Sequence, residues 1–480
     1  MIEALETLPQ ICVTGREATL VQLAERLDRF SGEEALQEVR LDALTPFDGD
    51  VFDLIRRYRG QVVATCRPER QGGWFGSSES DRLEILARAS SMGPRLIDIE
   101  FDVPPASIDQ LKRSGSSVLL SFHDFSGVPD DLGRIIREME QIEVEAIKIA
   151  VQIHDAAELS VLLAVTTGRP RVVLGMGAAG ILSRVLFDRF GSLWTYVSSG
   201  EDENTANGQL TWDRALLYGF PESASAPFLA LVGGEQVSHS PGPVVYNRFF
   251  RGLPVPNAYI PVITLRFAET LELLRELGCT GASVTMPHKR QALLLSDPDD
   301  SARSAGAANT VRFDGGMLQS TNSDIEGVRL PLEKAMLSRG EEKFSSALIL
   351  GAGGAARAAA LACRSLGVDV TVASRRLDEA ELSVRTIPWT GRIGEAFDIL
   401  INATPISGTE TPWPIDVPIG ARIVFDLAIG DAPSLLLDQA GEAGAVAIPA
   451  EEMWLSQGAL QMTWLTGMET SAEQLRELMP

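Results

Sequence analysis

Cysteine is scarce in this sequence, with four residues in a chain of 480. Cys12, Cys66, Cys279 and Cys363 form no CxxC pair and show no metal-ligand spacing, which excludes a disulfide framework and a zinc site. They read as buried thiols of a reducing cytosol. Basic charge is short as well: 42 Lys and Arg face 65 Asp and Glu, a net charge of −23. That balance argues against a nucleic-acid partner, because binding phosphates needs a surplus of cations. No apolar run approaches the ~20 residues that cross a bilayer, so no membrane partner is expected. The opening MIEALETLPQ lacks the basic-then-apolar order of an export signal, and a cytoplasmic protein is expected. At 480 residues the chain exceeds one ordinary core, so two or three domains are expected. In so acidic a chain, a Lys or Arg set in a pocket works against the overall field and is informative for it.

Short β-branched runs alternate with helical stretches through the first half. The runs are Ile11–Val13, Glu38–Asp42, Gln61–Arg67, Leu96–Glu100, Ser117–Asp124, Ala146–Val151, Arg171–Gly177 and Leu193–Ser198. Eight strand–helix repeats predict an α/β chain that opens with a (β/α)8 TIM barrel. Strands buried on both faces should be apolar, yet charged residues recur at their ends: Glu38 and Arg40, Arg67, Asp98 and Glu100, His123 and Asp124. Lys148 lies inside the sixth. A barrel gathers such ends at one mouth. One buried ion pair has a purely structural reading, but a set of them implies a site, since each buried charge costs several kcal/mol.

Lys148 sits in Ala146-Ile-Lys-Ile-Ala-Val151. An amine among apolar neighbours and arginines is held neutral and can attack a ketone. His123, in Ser121-Phe-His-Asp-Phe125, is expected to titrate near neutrality and to carry a proton to and from carbon. Arg40, Arg67 and Arg184 supply charge for a carboxylate. Together these residues suit elimination of water from a β-hydroxy ketone through an iminium. The set Glu38-Val-Arg-Leu-Asp42, Thr65-Cys-Arg-Pro68, Ser121–Phe125, Lys148-Ile-Ala-Val151, Gly175-Met-Gly, Ser183-Arg184 and Gly208-Gln209 resembles the type I 3-dehydroquinate dehydratases over roughly residues 10–220. The resemblance implies Lys148 as the Schiff-base lysine and His123 as the general acid–base. It also implies a substrate held by Arg184 and Gln209 with Glu38, Arg40 and Arg67. Gln71 and Thr205 depart from the family's usual Glu and Ser; both keep hydrogen-bonding capacity. The polar segment Ser198–Gln209 suits a lid that excludes water.

Phe220–Pro227 reads as a linker. Beyond it, the run Ser346-Ala-Leu-Ile-Leu-Gly-Ala-Gly-Gly-Ala-Ala-Arg-Ala358 carries a strand into Gly351, Gly353 and Gly354 and then an Ala-rich helix. Such glycines let a pyrophosphate approach a helix N-terminus; a plain structural turn is the other reading. The following strand, Val368–Ala373, ends in Ser374-Arg375-Arg376 instead of an acid, which favours NADP over NAD, with Asp378 nearby. Lys289 and Asp324 make a lysine–carboxylate pair for proton transfer beside a hydride transfer. Taken singly, Asp324 also reads as a helix cap and Lys289 as a surface residue.

This second half resembles the shikimate dehydrogenases over roughly residues 228–470, on Gly233 to His239-Ser240, Ser283–Lys289, Gly306-Ala-Ala-Asn-Thr310, Asn322-Ser-Asp324, Leu350–Ala356, Ser374-Arg375, Asn402-Ala-Thr-Pro-Ile406 and Gln457-Gly-Ala459. It implies Lys289 and Asp324 as the catalytic pair and Ser240, Thr285, Asn309 and Gln457 as substrate ligands. Ala355 and Thr404 join the glycines, Ser374 and Arg375 around the cofactor. Gly242 stands where the family has a second clamp serine, Ile429 where it has a tyrosine, and Ser323 where it has a threonine. Either the Gly242 N–H replaces the lost hydroxyl or affinity is weaker. His239 and His288 read as structural, and His154 carries no assigned role.

The implied layout is a dehydratase barrel over 1–222, a dehydrogenase substrate domain over 228–328 closed by helices in about 451–480, and a Rossmann-like NADP domain over 329–450. Its two reactions, 3-dehydroquinate to 3-dehydroshikimate and then to shikimate, are consecutive. A dehydrogenase with quinate-like preference and a non-catalytic metabolite sensor are the alternatives. No metal is expected, the partners are small molecules, and the oligomeric state stays open.

Overall fold

The computed structural model describes residues 8–480 apart from 46, 207, 221–223, 252, 254–257, 341–342, 376–383 and 431. Part of the expected linker, Arg376 and Asp378 lie outside the described residues. The chain forms two compact units, residues 1–279 and 280–480.

In the first unit, β1 (Ile11–Thr14), β2 (Leu36–Arg40), β3 (Val62–Thr65), β4 (Leu96–Glu100), β5 (Val118–Asp124), β6 (Ala146–Gln152), β7 (Arg171–Met176), β8 (Thr195–Ser198) and the short β9 (Leu210–Thr211) form one parallel sheet. Its order is β7-β6-β5-β4-β3-β2-β1-β8-β9, a sheet curled into the expected barrel. The eighth strand starts two residues later than its β-branched run suggests. Ser192 and Leu193 are already engaged with the start of β7: Leu193 N–H donates to Arg171 O at 2.9 Å, and Ser192 Oγ lies 2.7 Å from Val173 N and 3.0 Å from Val173 O. One side-chain hydroxyl thus stands in for ladder bonds at the seam.

Alternation along each strand sorts the barrel interior. Leu36, Val63, Leu96, Leu119, Ala146 and Val172 pack as an apolar floor. Two and four residues further along the same strands come Glu38 and Arg40, Thr65 and Arg67, Asp98 and Glu100, Ser121 and His123, and Lys148. The two-residue period therefore carries the chemistry from a dry floor up to the mouth. Outside, local signals set the helices: Thr19 and Gln22 form a reciprocal capping box before Leu20–Arg29, and Ser78 caps Glu79–Ser91.

The same unit continues into β10 (Phe228–Gly233) and β11 (Ala258–Ile263), paired in parallel over their full length. Asp155, just past β6, ties this layer to the barrel. Its carboxylate accepts from Thr264 Oγ1 at 2.7 Å, Leu265 N at 2.7 Å and Ala157 N at 3.0 Å.

In the second unit, β12 (Cys279–Val284) runs antiparallel to β14 (Thr310–Asp314). A hairpin at Gly315-Gly316, with φ of +54° and +89°, turns β14 into β15 (Met317–Thr321), which pairs in parallel with β13 (Asp297–Pro298). The rest is an all-parallel sheet of β16 (Ser346–Leu350), β17 (Asp369–Ser374), β18 (Arg385–Pro388), β19 (Ile399–Asn402), β20 (Ile423–Asp426) and β21 (Val446–Ile448). Its order, β18-β17-β16-β19-β20-β21, is the doubly wound nucleotide-binding arrangement, with the reversal between β16 and β19. Helix Ala450–Thr466 packs on helix Asp324–Ser338, so closely at Gly327 that a Cβ there would sit 2.7 Å from Gln457 Cβ. All four cysteines are free and buried. Among the described residues no helix is long and apolar enough to cross a membrane.

Asp155→Ala is expected to lower the stability of the first unit by about 2 kcal/mol, the scale of lost hydrogen bonds to a charged group, read from its urea midpoint. Burial works against ionisation of Asp155, but the bonds from Leu265, Ala157 and Thr264 outweigh it and hold the carboxyl below its ordinary range. Its stabilisation is therefore full above roughly pH 4 and lost as pH falls through the lower folded value. The gap between wild type and variant should narrow on acidification; a gap independent of pH contradicts this role.

Candidate active sites

Lys148, on β6, is 5% exposed. Its Nζ lies 3.1 Å from Asp98 Oδ2 and 4.2 Å from the centre of the Tyr196 ring. The residue pattern leads one to expect arginines around the amine; the structure sets a carboxylate directly on it. Asp98 also meets Arg67 Nη2 at 2.9 Å and accepts from Ser121 Oγ at 2.7 Å. Arg67 Nη1 reaches Glu100 at 2.7 Å, and Glu100 pairs with the fully buried Arg82 at 2.6 Å. Burial alone would push the Asp98 carboxyl up, but Arg67 and then Lys148 outweigh it and hold it below the usual range. Alternating signs let so many charges share a dry space.

His123 departs from expectation. Burial first, then Arg67 and Lys148, push its pKa well below the ordinary 6.5, so it is neutral at pH 7 and does not titrate near neutrality. Its ring stacks on Phe125 at 6.1 Å and 10°, and Nδ1 has no hydrogen-bond partner among the described residues. A neutral imidazole with a vacant position suits a base.

Glu38, Arg40, Arg67, His123, Lys148, Arg184, Thr205 and Gln209, the candidates of the first half, all line one cleft. Glu38 is oriented by Thr14 Oγ1 at 2.6 Å and Thr65 Oγ1 at 2.9 Å. Arg40 forks onto Asp42 at 3.0 and 2.7 Å. Arg184 is 1% exposed and donates to Gly175 O at 3.2 Å. No neighbouring charge offsets its burial, which pushes its pKa down to about 10. Among the described residues it is a buried cation without an anion. Gln209 Oε1 accepts from Thr205 N at 2.9 Å and Thr205 Oγ1 at 3.2 Å, bracing the expected lid. At Gly208, φ +69°, a Cβ would sit 2.3 Å from Gly177 O, so only glycine lets the lid seat on the end of β7. Gln71 also lines the cleft, with Oε1 buried and unpartnered. Tyr196 is absent from the sequence-based candidates, although its two-residue step from Trp194 already places it inward.

In the second unit, Lys289 Nζ lies 2.6 Å from Asp324 Oδ2, with side chains 30% and 13% exposed. Asp324 does not cap its helix. Its carboxylate instead takes Lys289 and Asn309 Nδ2, the latter at 2.9 Å, while its own N–H donates to Asn322 Oδ1 at 2.8 Å. Asn309 Nδ2 also lies 3.0 Å from Ser323 Oγ and 3.5 Å from Gln457 Oε1, and Ser323 Oγ donates to Gln457 at 3.4 Å. Ser323 thus places its hydroxyl in this network. Lys289, Asn309, Asp324 and Gln457 form one network. Thr285 is half-buried, four residues before Lys289. Gln461 is a further member that the sequence motifs do not include; it bonds Ser283 Oγ at 3.1 Å and Asn309 O at 3.0 Å, one helical turn beyond Gln457.

Ser240 belongs to the first unit. There the Gly242 N–H donates to Ser240 Oγ at 3.2 Å. Ile429 is 73% exposed.

Gly351, at φ +107°, turns the chain out of β16; a Cβ there would lie 2.9 Å from Ala403 O. Gly353 caps helix Gly354–Ser365, with Ala355 in its first turn. Among the described residues, and apart from its chain neighbours and its own helix, nothing lies within 4 Å of a Cβ built at Gly353 or Gly354, so the backbone is open to a ligand. Thr404, past β19, donates to Asn402 Oδ1 at 2.7 Å. Ser374 ends β17 and Arg375 follows it. These residues follow the C-terminal ends of the strands around the sheet's reversal, where open α/β sheets bind ligands.

Family models match both halves: type I 3-dehydroquinase over residues 11–217 and the shikimate dehydrogenase substrate binding domain over residues 232–311. A solved dehydroquinate dehydratase and shikimate dehydrogenase from S. pombe is 20% identical, with a TM-score of 0.45 over 100% of this chain and 99% of that one. The shikimate dehydrogenase (NADP(+)) of Pelobacter propionicus is 34% identical over 257 residues, covering 50% of this chain and 91% of that protein. The chloroplastic bifunctional 3-dehydroquinate dehydratase/shikimate dehydrogenase of Arabidopsis thaliana is 28% identical over 479 residues, 92% of this chain and 79% of that protein. With both halves matched, and matched in that order, the chain belongs to the bifunctional type I 3-dehydroquinate dehydratase/shikimate dehydrogenase family.

Proposed function

We propose that the barrel dehydrates 3-dehydroquinate through a Schiff base on Lys148, and that Lys289 and Asp324 serve the NADPH-dependent reduction of 3-dehydroshikimate to shikimate. The observation that carries the first reading is a buried lysine beside a neutral histidine, in a cleft that also holds an arginine with no acid partner.

The Lys148 amine adds to the ketone carbon, and the carbinolamine hydroxyl, taking up a proton from solvent, leaves as water to give an iminium. Asp98, 3.1 Å from the nitrogen, favours the positive charge of that iminium. Neutral His123 takes the proton from the adjacent carbon, and the electron pair moves into the C–N bond as an enamine. Its return expels the β-hydroxyl, which leaves as water with the proton from His123. Hydrolysis of the iminium then frees product and lysine. Arg184 receives the carboxylate, with Arg40, Arg67, Glu38 and Gln209 at the remaining polar groups. Segment Ser198–Gln209 closes over the site.

The open backbone at Gly353 and Gly354 fits a dinucleotide pyrophosphate, and Arg375 after Ser374 suits the 2′-phosphate of NADP. When bound, NADPH supplies a hydride. Lys289 donates a proton to the ketone oxygen, and Asp324 with Asn309 orients it. Ser240, Thr285 and Gln457 hold the carboxylate and hydroxyls. We assign the dehydratase to 1–222, the substrate domain to 228–328 with 451–480, and the nucleotide domain to 329–450. The packing of helix Ala450–Thr466 on helix Asp324–Ser338 supports that division. Four buried thiols and an acidic surplus suit a cytoplasmic enzyme whose partners are small molecules.

Coupled turnover of 3-dehydroquinate with NADPH, followed by cofactor oxidation, tests both centres. In Lys148→Ala oxidation should stop with 3-dehydroquinate yet continue with 3-dehydroshikimate; in Lys289→Ala 3-dehydroshikimate should accumulate. Full coupled turnover in either variant overturns its assignment.

The pH profile tests His123. As a base it must be unprotonated, and its pKa lies well below 6.5. Read from kcat at saturating 3-dehydroquinate, where Lys148 is already committed to the iminium, dehydration should therefore stay flat from neutrality down past pH 6.5, with the acid limb below it. An acid limb centred at or above 6.5 contradicts the assignment.

A further inference from the structure

Trp74, which belongs to none of the sequence motifs, packs against Arg40, a residue of the cleft lining, and against Arg16. Its ring centre lies 4.6 Å from the Arg40 guanidinium carbon and 4.6 Å from that of Arg16. Its backbone N–H donates to Asp42 Oδ2 at 3.1 Å, on the carboxylate that Arg40 forks onto. Arg40 is therefore held along its edge by Asp42 and against its face by Trp74.

The loop that presents the ring is pinned. A Cβ at Gly73 would sit 2.1 Å from Arg67 O, and Phe75 N–H donates to that same carbonyl at 3.2 Å. Trp74 thus has a fixed place relative to Arg67. Arg16 brings in the lid, because its backbone N–H donates to Glu203 Oε2 at 3.0 Å, within Ser198–Gln209. Two guanidiniums share one indole, whose electron-rich face offsets the repulsion between them.

We propose that Trp74 is a positioning residue for dehydration, orienting Arg40 toward substrate and, through Arg16, joining that orientation to the seating of the lid. The inference rests on the reading of Arg40 as a substrate ligand.

Steady-state dehydration by the full chain tests it, with Arg40→Met, Trp74→Leu, Trp74→Phe and Arg16→Met. Trp74→Leu should raise KM for 3-dehydroquinate about tenfold with little change in kcat, the scale of a partly desolvated cation–π contact. Trp74→Phe, which keeps an aromatic face, should recover most of that loss. On the Arg40→Met background, Trp74→Leu should add nothing further. Reduction of 3-dehydroshikimate should be unaltered throughout. If Arg40→Met raises KM while Trp74→Leu matches wild type, or if Phe and Leu at 74 behave alike, the proposal fails and the ligand reading stands. A wild-type KM in Arg40→Met removes the ligand reading and the proposal with it. Should Trp74→Leu not fold, Arg16→Met carries the test: a KM raised about threefold supports the shared ring, and an unchanged one overturns it.

Discussion

Asp98 accepts from Lys148, Arg67 and Ser121 at once, at 3.1, 2.9 and 2.7 Å, with no exposure to water. A carboxylate there without those partners would cost several kcal/mol, and so would either cation without the carboxylate. Much of the mouth follows from this contact. It fixes the amine on β6, it anchors the chain Arg67–Glu100–Arg82, and it favours positive charge at the nitrogen where an iminium would form. The same cations that hold Asp98 ionised keep His123 neutral.

In the proposed mechanism the two lysine–carboxylate contacts serve opposite ends. In the barrel the pair is dry, with side-chain exposures of 7% and 0%, and the lysine is to act as a nucleophile that changes its charge. In the second unit the pair is shorter, at 2.6 Å, and wetter, at 30% and 13%, which suits an ammonium that gives up a proton and recovers it from solvent. Asn309 does there what Ser121 does in the barrel: it occupies the second carboxylate oxygen so that the lysine has one place to bind.

How much of this is legible in the sequence depends on the range of the interaction. Two-residue alternation over an apolar floor is local, so the residue pattern by itself places a mouth at the polar strand ends. Gln457 and Gln461 sit one turn apart, and the second follows from the first. The neutral state of His123 does not, because it depends on Arg67 and Lys148, which are distant in sequence and meet the ring only in the closed barrel. The late start of β8 hinges on a single hydroxyl, Ser192, whose bonds to Val173 leave no pattern in composition. Phe220–Pro227 reads as a linker from residue chemistry alone, whereas the first compact unit extends to residue 279 through long-range bonds such as Asp155 to Thr264.

The most direct test of the central claim is borohydride trapping of 3-dehydroquinate on the intact chain, followed by peptide mass mapping. The account expects one reduced adduct, on Lys148, and none in folded Lys148→Ala. An adduct on another lysine, or none in wild-type protein that turns the substrate over, would contradict it.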